Sequence, residues 1–312
     1  MRNVFKLLGL FLLILTVHAQ VWADWTAVSD HKFGTSSIYA IAYGNNRFVA
    51  VGESGKMSVS TNGTAWTAVN VSRIFGTNDI LSIAYGNNMF VAGDIRGKMA
   101  TSKDGTTWTA VADSKFGPDN YIQAIAFGNG RFVAGGGMGQ IVTSTNGTTW
   151  TAVRDSKITV EIRAIAYGSG RFVAVGEAGQ MATSTNGTTW TAVTDNKSGG
   201  MHFYGITYGN NRFIALAGSK ITTSTNGTAW TAVTSSPFLD NVSAVAWGNN
   251  KFIAYGFDNF DGKTATSTNG TTWTAVRNSK FGSGLDSDIM SIAYGANKFV
   301  AVGGKDMAYL SD

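Results

Sequence analysis

The chain has 312 residues, a formal net charge of +5 and no cysteine, which excludes disulfide stabilisation and cysteine chemistry. Its 44% hydrophobic content, 39 glycines and only 2 prolines, with many Thr, Val and Ile, are typical of an all-β protein that buries a sizeable core. The near balance of 24 basic and 19 acidic residues gives no reason to expect nucleic acid or a membrane surface as a partner.

The N-terminus has the pattern of a secretory signal. Arg2 and Lys6 precede the apolar run 7–17, and Val17 and Ala19 stand at the −3 and −1 positions of a cleavage site. At about 11 residues the run is too short to cross a bilayer comfortably as a mature helix. We expect a signal peptide over 1–19, with an alternative cut after residue 23, and a secreted or periplasmic protein with no membrane span after signal removal. The alternative is a buried N-terminal helix.

Two phrases recur through the rest of the chain. Trp-Thr-Ala-Val begins at Trp25, Trp66, Trp108, Trp150, Trp190, Trp230 and Trp273. A second phrase, Ala-Ile-Ala-Tyr-Gly and its variants, ends at Gly44, Gly86, Gly128, Gly168, Gly209, Gly248 and Gly295. Repeats of 40 to 43 residues are typical of propeller blades, so seven copies predict seven units in one domain over 20–312.

Each unit divides into four short strands, here called A to D. In the first unit these are "IYAIAY", "FVAVG", "MSVS" and "WTAV", separated by "GNNR", "ESGK" and "TNGT". Asn-Asn, Ser-Gly and Asn-Gly pairs between β-rich runs favour hairpin turns because they accept positive φ at low cost. The unit is therefore predicted to be an antiparallel meander. The Trp that opens strand D is expected to pack against the neighbouring unit.

The two ends of the chain are complementary. The first Trp-Thr-Ala-Val, at Trp25, has no strands A to C before it, and the last unit stops at Asp312, before its own strand D. The N-terminal strand is therefore predicted to complete the C-terminal unit, which closes the ring and leaves no exposed sheet edge. We expect an all-β fold, a closed seven-bladed β-propeller of four-stranded antiparallel blades.

The hairpin between strands C and D resembles a known motif. "STNGTTW" at 144–150 and "SKDGTTW" at 102–108 are similar to the Asp-box hairpin of sialidase-like (BNR) propellers, but are one residue shorter. The mature chain looks like the exported bacterial propellers built from such repeats, whose relatives include a photosystem II assembly factor. The resemblance implies the propeller fold. It implies little about activity, because the hairpin occurs in proteins of unrelated function.

The two faces of the predicted ring differ in their variability. The A–B turns ("GNNR", "GNGR", "GSGR") and the C–D turns (mostly "TNGT") barely change between repeats. The B–C and D–A connections change in length and content, and both prolines, Pro118 and Pro237, lie in D–A connections. We call these the constant face and the variable face. A site for one asymmetric partner is expected on the variable face, because loops on a rigid scaffold are free to vary.

The start of strand A supplies the candidate ligand-binding residues. Strand A is the innermost strand, so its first residues are expected to ring the mouth of the central channel. The polar and aromatic residues at these positions are Tyr39, Asp79, Tyr121, Glu161, Arg163, His202, Tyr204 and Asp288. The alternative is unselected variation at solvated strand ends.

A second candidate group lies in the D–A connections. Lysines recur there, among them Lys115 and Lys157, often followed by a phenylalanine such as Phe116. One interpretation is a basic ring on the variable face, suited to anionic glycans or acidic protein segments. The other is structural, with the phenylalanine packed under the loop and the lysine solvated above it.

Enzymatic patterns are scarce. No cluster of His and carboxylates at metal-ligand spacing is present, and no cofactor is expected. The enzyme alternative is a sialidase-like glycoside hydrolase that uses two of Asp79, Glu161 and Asp288 as paired carboxylates. The favoured hypothesis is an exported, non-catalytic, monomeric recognition propeller that binds a glycan or an extracytoplasmic protein on its variable face.

Overall fold

The computed structural model describes residues 25–258, 261–276 and 288–311. The expected signal peptide, 1–19 with the alternative cut after 23, lies outside the described residues. Within them the chain forms seven four-stranded antiparallel sheets, which confirms the predicted seven-bladed propeller. No helix in this part of the chain is long and apolar enough to cross a membrane.

The strands follow the repeats in order. The chain begins with β1 (Thr26–Ala27), and blade 1 then comprises β2 (Ile38–Gly44), β3 (Arg47–Gly52), β4 (Met57–Ser60) and β5 (Thr67–Ala68). Blade 2 comprises β6 (Ile80–Gly86), β7 (Met89–Asp94), β8 (Met99–Ser102) and β9 (Thr109–Ala110). Blade 3 comprises β10 (Ile122–Gly128), β11 (Arg131–Gly136), β12 (Ile141–Ser144) and β13 (Thr151–Ala152). Blade 4 comprises β14 (Ile162–Gly168), β15 (Arg171–Gly176), β16 (Met181–Ser184) and β17 (Thr191–Ala192).

The last three blades repeat this order. Blade 5 comprises β18 (Phe203–Gly209), β19 (Arg212–Ala217), β20 (Lys220–Ser224) and β21 (Thr231–Ala232). Blade 6 comprises β22 (Val242–Gly248), β23 (Lys251–Asp258), β24 (Asp261–Ser267) and β25 (Thr274–Val276). Blade 7 contains β26 (Ile289–Gly295), β27 (Lys298–Gly303) and β28 (Asp306–Ser311). Short helical turns lie at α1 (Ser72–Phe75) and, as 3-10 turns, at Glu53–Gly55, Gly137–Gly139 and Glu177–Gly179.

The N-terminal strand completes blade 7, as the complementary ends predict. Thr26 of β1 pairs with Tyr309 of β28 and Ala27 pairs with Ala308, both antiparallel. Trp25 is buried in a cluster with Phe299 of blade 7 and Ile253 of blade 6. The head of the chain is therefore held both by backbone pairing and by core packing, and the ring is closed.

Neighbouring blades are locked together by glycine–aromatic contacts around the axis. The glycine that ends each strand A lies against the ring of the aromatic residue that precedes the corresponding glycine in the next blade. A Cβ on Gly44 would lie 2.0 Å from Cγ of Tyr85, and a Cβ on Gly209 would lie 2.1 Å from Cγ of Trp247. The contact between Gly295 and Tyr43 joins blade 7 to blade 1. These positions need glycine because the neighbouring ring occupies the place of a side chain.

The C–D hairpins are built by side-chain hydrogen bonds within each turn. In blade 1 the Ser60 hydroxyl accepts from Gly63 N at 2.8 Å, and Asn62 Oδ1 accepts from Thr64 N at 3.0 Å. Trp66 Nε1 donates to the Gly63 carbonyl at 3.2 Å. The Trp66 ring packs with Phe48 of its own blade and with Val300 of blade 7. The expected packing of the tryptophan against a neighbouring unit is confirmed.

Strand D is shorter than the sequence suggests. The phrase Trp-Thr-Ala-Val predicts a four-residue strand, but in most blades only Thr and Ala pair with strand C, as Thr67 and Ala68 do with β4. The tryptophan stands just before the strand because its indole caps the hairpin and fills the core.

Hydrogen bonds between turns confirm the division into two faces. Asn45 in the A–B turn of blade 1 donates to the Lys103 carbonyl in the C–D turn of blade 2, at 3.1 Å. On the other face, Ser54 N in the B–C turn of blade 1 donates to Asp79 at the start of blade 2, at 2.9 Å.

The glycine–aromatic contact can be tested within one strand. In Gly209→Ala the added methyl group would overlap the atoms of the Trp247 ring. Overpacking of this kind lowers the free energy of unfolding by about 3 kcal/mol or more. Gly205→Ala, in the same strand, is the matched control, because its Cβ meets nothing closer than 3.5 Å. We expect urea denaturation to show a large loss for Gly209→Ala and little change for Gly205→Ala. Equal stability of the two variants would contradict the steric account.

The aspartate of blade 2 makes the hairpin sensitive to acid. Asp104 stands where other hairpins have Asn, and backbone hydrogen bonds from Thr107 and Thr106 hold its pKa well below the usual value. A carboxyl with a depressed folded-state pKa stabilises the fold above its unfolded pKa of about 4, and this contribution is lost as the pH falls through the folded-state value.

We therefore expect wild type to be more stable than Asp104→Asn at neutral pH, with the difference shrinking below about pH 4. Thermal unfolding from neutral to acidic pH measures the difference. Asn146→Asp in blade 3 should acquire the same pH dependence. If the difference in stability between wild type and Asp104→Asn stayed constant across the acid range, the charge of the Asp104 carboxylate would not contribute to stability.

Candidate functional site

A β-bulge at the start of strand A shapes the centre of the ring in every blade. In blade 1 the pairing with β3 shifts register between Ile38 and Ala40, so that Tyr39 is an extra residue without a partner. The bulge residues of the seven blades are Tyr39, Leu81, Gln123, Arg163, Tyr204, Ser243 and Met290. All of them line one central cavity of about 800 Å³. The repeat pattern predicts that the start of strand A lies near the channel, but not the bulge that directs these side chains inward.

Most of the predicted site residues lie in this cavity. Its lining includes Tyr39, Asp79, Tyr121, Glu161, Arg163, Tyr204 and Asp288. Ile95, from a B–C connection, and Phe257, near the end of strand B of blade 6, also line it, which places its mouth on the variable face. The cavity therefore combines carboxylates, tyrosine rings and apolar side chains, and Arg163 is the single cationic group among the described residues of its lining.

His202, Lys115 and Lys157 are not among the residues that line the cavity. His202 is exposed, and its Nδ1 accepts from Ala178 N at 3.2 Å. Lys115 and Lys157 form ion pairs with the aspartates two residues before them, Asp113 and Asp155. The prediction that His202, Lys115 and Lys157 belong to the site is therefore wrong, because all three lie in the loops and not in the channel.

The lysine loops have a structural explanation. Lys115 and Lys157 adopt left-handed backbone conformations, with φ of 70° and 63°, and Phe116 is buried under its loop. Hydrogen bonds from each lysine side chain lower the pKa of Asp113 and Asp155. The paired aspartates offset the positive charge that the basic-ring interpretation requires, and the spacing Asp-x-Lys was the signal that sequence reasoning missed.

On one side of the cavity, a chain of polar contacts runs through blades 3 and 4. The Tyr121 hydroxyl donates to Glu161 Oε2 at 2.8 Å, and Arg163 Nη2 lies 3.6 Å from the same oxygen. Arg163 also donates to Glu177 Oε1 at 2.7 Å, and its guanidinium lies 5.9 Å from the centre of the Tyr204 ring. Burial, followed by the hydrogen bond to Glu161, raises the pKa of Tyr121 to about 12. This side holds its own cation between two carboxylates and an aromatic ring.

On the other side, at blades 1 and 2, carboxylates and a tyrosine meet without such a cation. Tyr39 donates to Asp79 Oδ2 at 3.4 Å, and Glu53 Oε2 accepts from Ser37 N at 2.8 Å. Burial and then the charges of Asp79 and Glu53 raise the pKa of Tyr39. Glu53 and its counterpart Glu177 come from B–C turns and were not among the predicted site residues. The turns "ESGK" and "EAGQ" could have indicated them.

The described part of the chain contains no cluster of side chains suited to a metal ion. Over residues 25–258, 261–276 and 288–311, no three His, Cys, Asp or Glu side chains come together in a group that could hold a metal ion.

Comparison with known families identifies the domain. The family model described as the DUF6242 beta propeller domain matches residues 18–117 and, overlapping, 82–201, which together exceed half of the chain. The chain therefore belongs to the DUF6242 beta propeller family. No curated protein sequence matches it.

Solved structures share the fold at low sequence identity. YCF48 bound to D1 peptide is 19% identical, with a TM-score of 0.72 over 92% of this chain and 95% of that one. YCF48 from Cyanidioschyzon merolae is 17% identical, with a TM-score of 0.70 over 93% and 99%. A catalytically inactive virginiamycin B lyase from Staphylococcus aureus, with quinupristin, is 11% identical, with a TM-score of 0.77 over 92% and 98%. The group includes a peptide-binding protein and an enzyme, so the likeness shows the fold alone.

The polar chain on the blade 3–4 side predicts a measurable titration. Glu161→Gln removes the anionic acceptor of the Tyr121 hydroxyl, so we expect the pKa of Tyr121 to fall from about 12. It should stay above the ordinary value of about 10, because burial persists in the variant. NMR of ring-labelled tyrosine measures the shift, with Tyr121→Phe to assign the resonance. An unchanged Tyr121 titration in Glu161→Gln would disprove the contact.

Proposed function

We propose that this protein is an exported, non-catalytic binding propeller that holds a polypeptide segment of a partner protein across the mouth of its central cavity. The ligand would contact the B–C and D–A connections of the variable face. The constant face would serve only to hold the blades together.

The distribution of exposed apolar side chains carries this proposal. Five large apolar side chains are exposed in the described part of the chain: Ile95, Met138, Met201, Leu239 and Met290. All of them lie in B–C turns, D–A connections or the bulge at the start of strand A, and so on the variable face. A contiguous apolar patch on one face of a domain marks a protein-binding surface, and we infer that these side chains contribute to one. A sugar-binding site alone would not require Leu239, which is 65% exposed, or Met138, which is 76% exposed.

The solved structure of YCF48 bound to D1 peptide supports the same class of ligand. It is a propeller with a TM-score of 0.72 to this chain, and its ligand is a peptide. The support is limited to the fold, because the two sequences are 19% identical.

The enzyme alternative receives less support from the geometry. Asp79, Glu161 and Asp288 stand on blades 2, 4 and 7, so no two of them come from neighbouring blades. Asp79 is held by Ser54 N and Tyr39, and Glu161 by Tyr121 and Arg163. Carboxylates that accept hydrogen bonds from their own protein are suited to fixing a ligand. A glycoside hydrolase needs one of them as a free acid above the scissile bond.

A display experiment tests the proposal. The purified protein is used to select from a random-peptide library, and in parallel it is applied to a glycan array. We expect enriched peptides, whose affinity is measured by fluorescence anisotropy. Leu239→Lys and Ile95→Lys should weaken binding about tenfold or more, because each removes an apolar contact and adds a charge that must be desolvated.

Met89→Lys is the matched control. Met89 lies at the A–B turn of the constant face, where other blades already carry Arg or Lys. It should bind the peptides as wild type does. Binding to the glycan array with no peptide selected would overturn the proposal. So would an equal loss of peptide affinity in Met89→Lys and Leu239→Lys.

A further inference from the structure

Blades 1 and 4 carry the same acidic turn at equivalent places. The turn begins with Glu53 in blade 1 and with Glu177 in blade 4, and its central residue, Ser54 or Ala178, has a left-handed backbone. In both turns that central N–H donates to a side chain at the start of the next blade. Ser54 N donates to Asp79 Oδ1 at 2.9 Å, and Ala178 N donates to His202 Nδ1 at 3.2 Å. The repeat therefore makes the blade 1–2 junction and the blade 4–5 junction structural counterparts.

The two junctions differ in their bulge residue. In blade 4 it is Arg163, whose guanidinium binds Glu177, approaches Glu161 and lies near the Tyr204 ring. In blade 4 this geometry holds a cation, the guanidinium of Arg163. In blade 1 a tyrosine, Tyr39, stands at the same position.

The blade 1–2 junction holds two carboxylates, as its counterpart does, but has no cation at the bulge. The lysine of its turn, Lys56, is occupied elsewhere, since its ammonium donates to the Phe33 carbonyl and the Ser36 hydroxyl. The junction keeps the turn carboxylate as Glu53 and has Asp79 where blade 5 has His202, while Ser37 stands at the position of Glu161. Asp288 of blade 7 lines the same cavity. Among the described residues, none of the ion pairs includes Glu53, Asp79 or Asp288.

We infer that the blade 1–2 junction binds the guanidinium or ammonium group of an arginine or lysine side chain carried by the partner polypeptide. The inference rests on the proposed function and names the chemistry of its ligand. Only Glu53 stands at an equivalent position, that of Glu177, because Tyr39 occupies the place of Arg163 and Asp79 that of His202. Asp79, Glu53 and Tyr39 nevertheless supply the same kinds of group that hold Arg163, carboxylates and an aromatic ring. A half-buried carboxylate attracts a cation more strongly than one in open water, because the effective dielectric constant is lower.

The surroundings favour a side chain of a polypeptide over a free cation. Leu81, Ile95 and Met290 line the cavity on this side, and Ile95 and Met290 are 41% and 43% exposed. Arginine and lysine carry their charge on an aliphatic stem, which packs along apolar groups while the head reaches the carboxylate. The flanking residues of the peptide would lie along the rest of the variable face, where Met138, Met201 and Leu239 are exposed.

The test uses the peptides selected by the full protein, together with synthetic copies in which each Arg or Lys is replaced by Gln. Selected peptides are expected to carry a basic residue, and its replacement by Gln should weaken binding about tenfold to hundredfold, as loss of a charged hydrogen bond does. Asp79→Asn should weaken the parent peptide similarly while leaving the Gln peptide unaffected. The affinity of the parent peptide should also fall with rising salt.

Two further variants separate the site from general effects. Tyr39→Arg supplies at the blade 1 bulge the cation that Arg163 supplies in blade 4, so it should abolish the preference for basic peptides while the protein stays folded. Asp119→Asn removes an exposed charge from the D–A connection of the same face, outside the cavity lining, and should change affinity little. Thermal unfolding of each variant checks the fold.

The outcomes distinguish the inference from the function on which it rests. If peptides are selected and Leu239→Lys weakens them, but no basic residue is enriched and Asp79→Asn binds as wild type, the inference is wrong and the proposed function stands. If no peptide is selected, both fail. If the protein binds a chitosan oligosaccharide and no basic peptide is selected, the ligand of this site is the ammonium group of an amino sugar. That result would overturn the inference.

Discussion

The contact between a glycine and the aromatic ring of the next blade is the constraint on which the rest of this molecule depends. It recurs at the end of every strand A and finally joins Gly295 to Tyr43, so each blade holds the next at one distance from the axis. Behind the contact, each ring packs on a fully buried phenylalanine of strand B, as Tyr208 does on Phe213 at 4.7 Å between ring centres. Because protein interiors are close-packed, a ring inserted where a side chain would stand cannot shift without moving both blades. The width of the central cavity follows from this spacing.

A frame fixed in this way allows one face to vary. On the constant face, turn asparagines bridge neighbouring blades, as Asn129 does to the Thr185 carbonyl at 3.3 Å and Asn210 to the Thr268 carbonyl at 2.9 Å. On the variable face the bulge at the start of strand A places one side chain per blade in the cavity, and the backbone pairing does not depend on which side chain it is. Tyr39, Arg163 and Met290 occupy equivalent places in the same register. Chemistry can therefore change from blade to blade while the frame stays constant.

The sequence predicted the blade count, the closure at Trp25 and the two faces, because repeat spacing and turn chemistry are local and recur seven times. It also placed Tyr39, Asp79 and Glu161 near the channel, since alternation along strand A is readable from the chain. It did not predict the bulge, which adds no residue to any turn and leaves no mark in the spacing. It also missed the contribution of Glu53 and Glu177, because a B–C turn meets the next blade only once the ring has formed. The pairing of Lys115 with Asp113 was visible only as a short spacing within a loop.

The cavity is chemically asymmetric although the frame around it is nearly seven-fold. On one side, Arg163 donates to Glu177 at 2.7 Å and lies 3.6 Å from Glu161, so two carboxylates share its charge. On the other side, the Asp79 carboxylate accepts one hydrogen bond from the Tyr39 hydroxyl and one from Ser54 N. Because a carboxylate has about four lone-pair sites, Asp79 can accept from a further donor. A ligand that brings a cation meets Asp79 on the second side, whereas on the first side Arg163 cancels part of the attraction of Glu161 and Glu177. The stronger attraction on the second side favours one orientation of the ligand, since complementary charges fix the register of a bound partner. A ring of nearly identical blades can in this way bind an asymmetric partner in a single orientation.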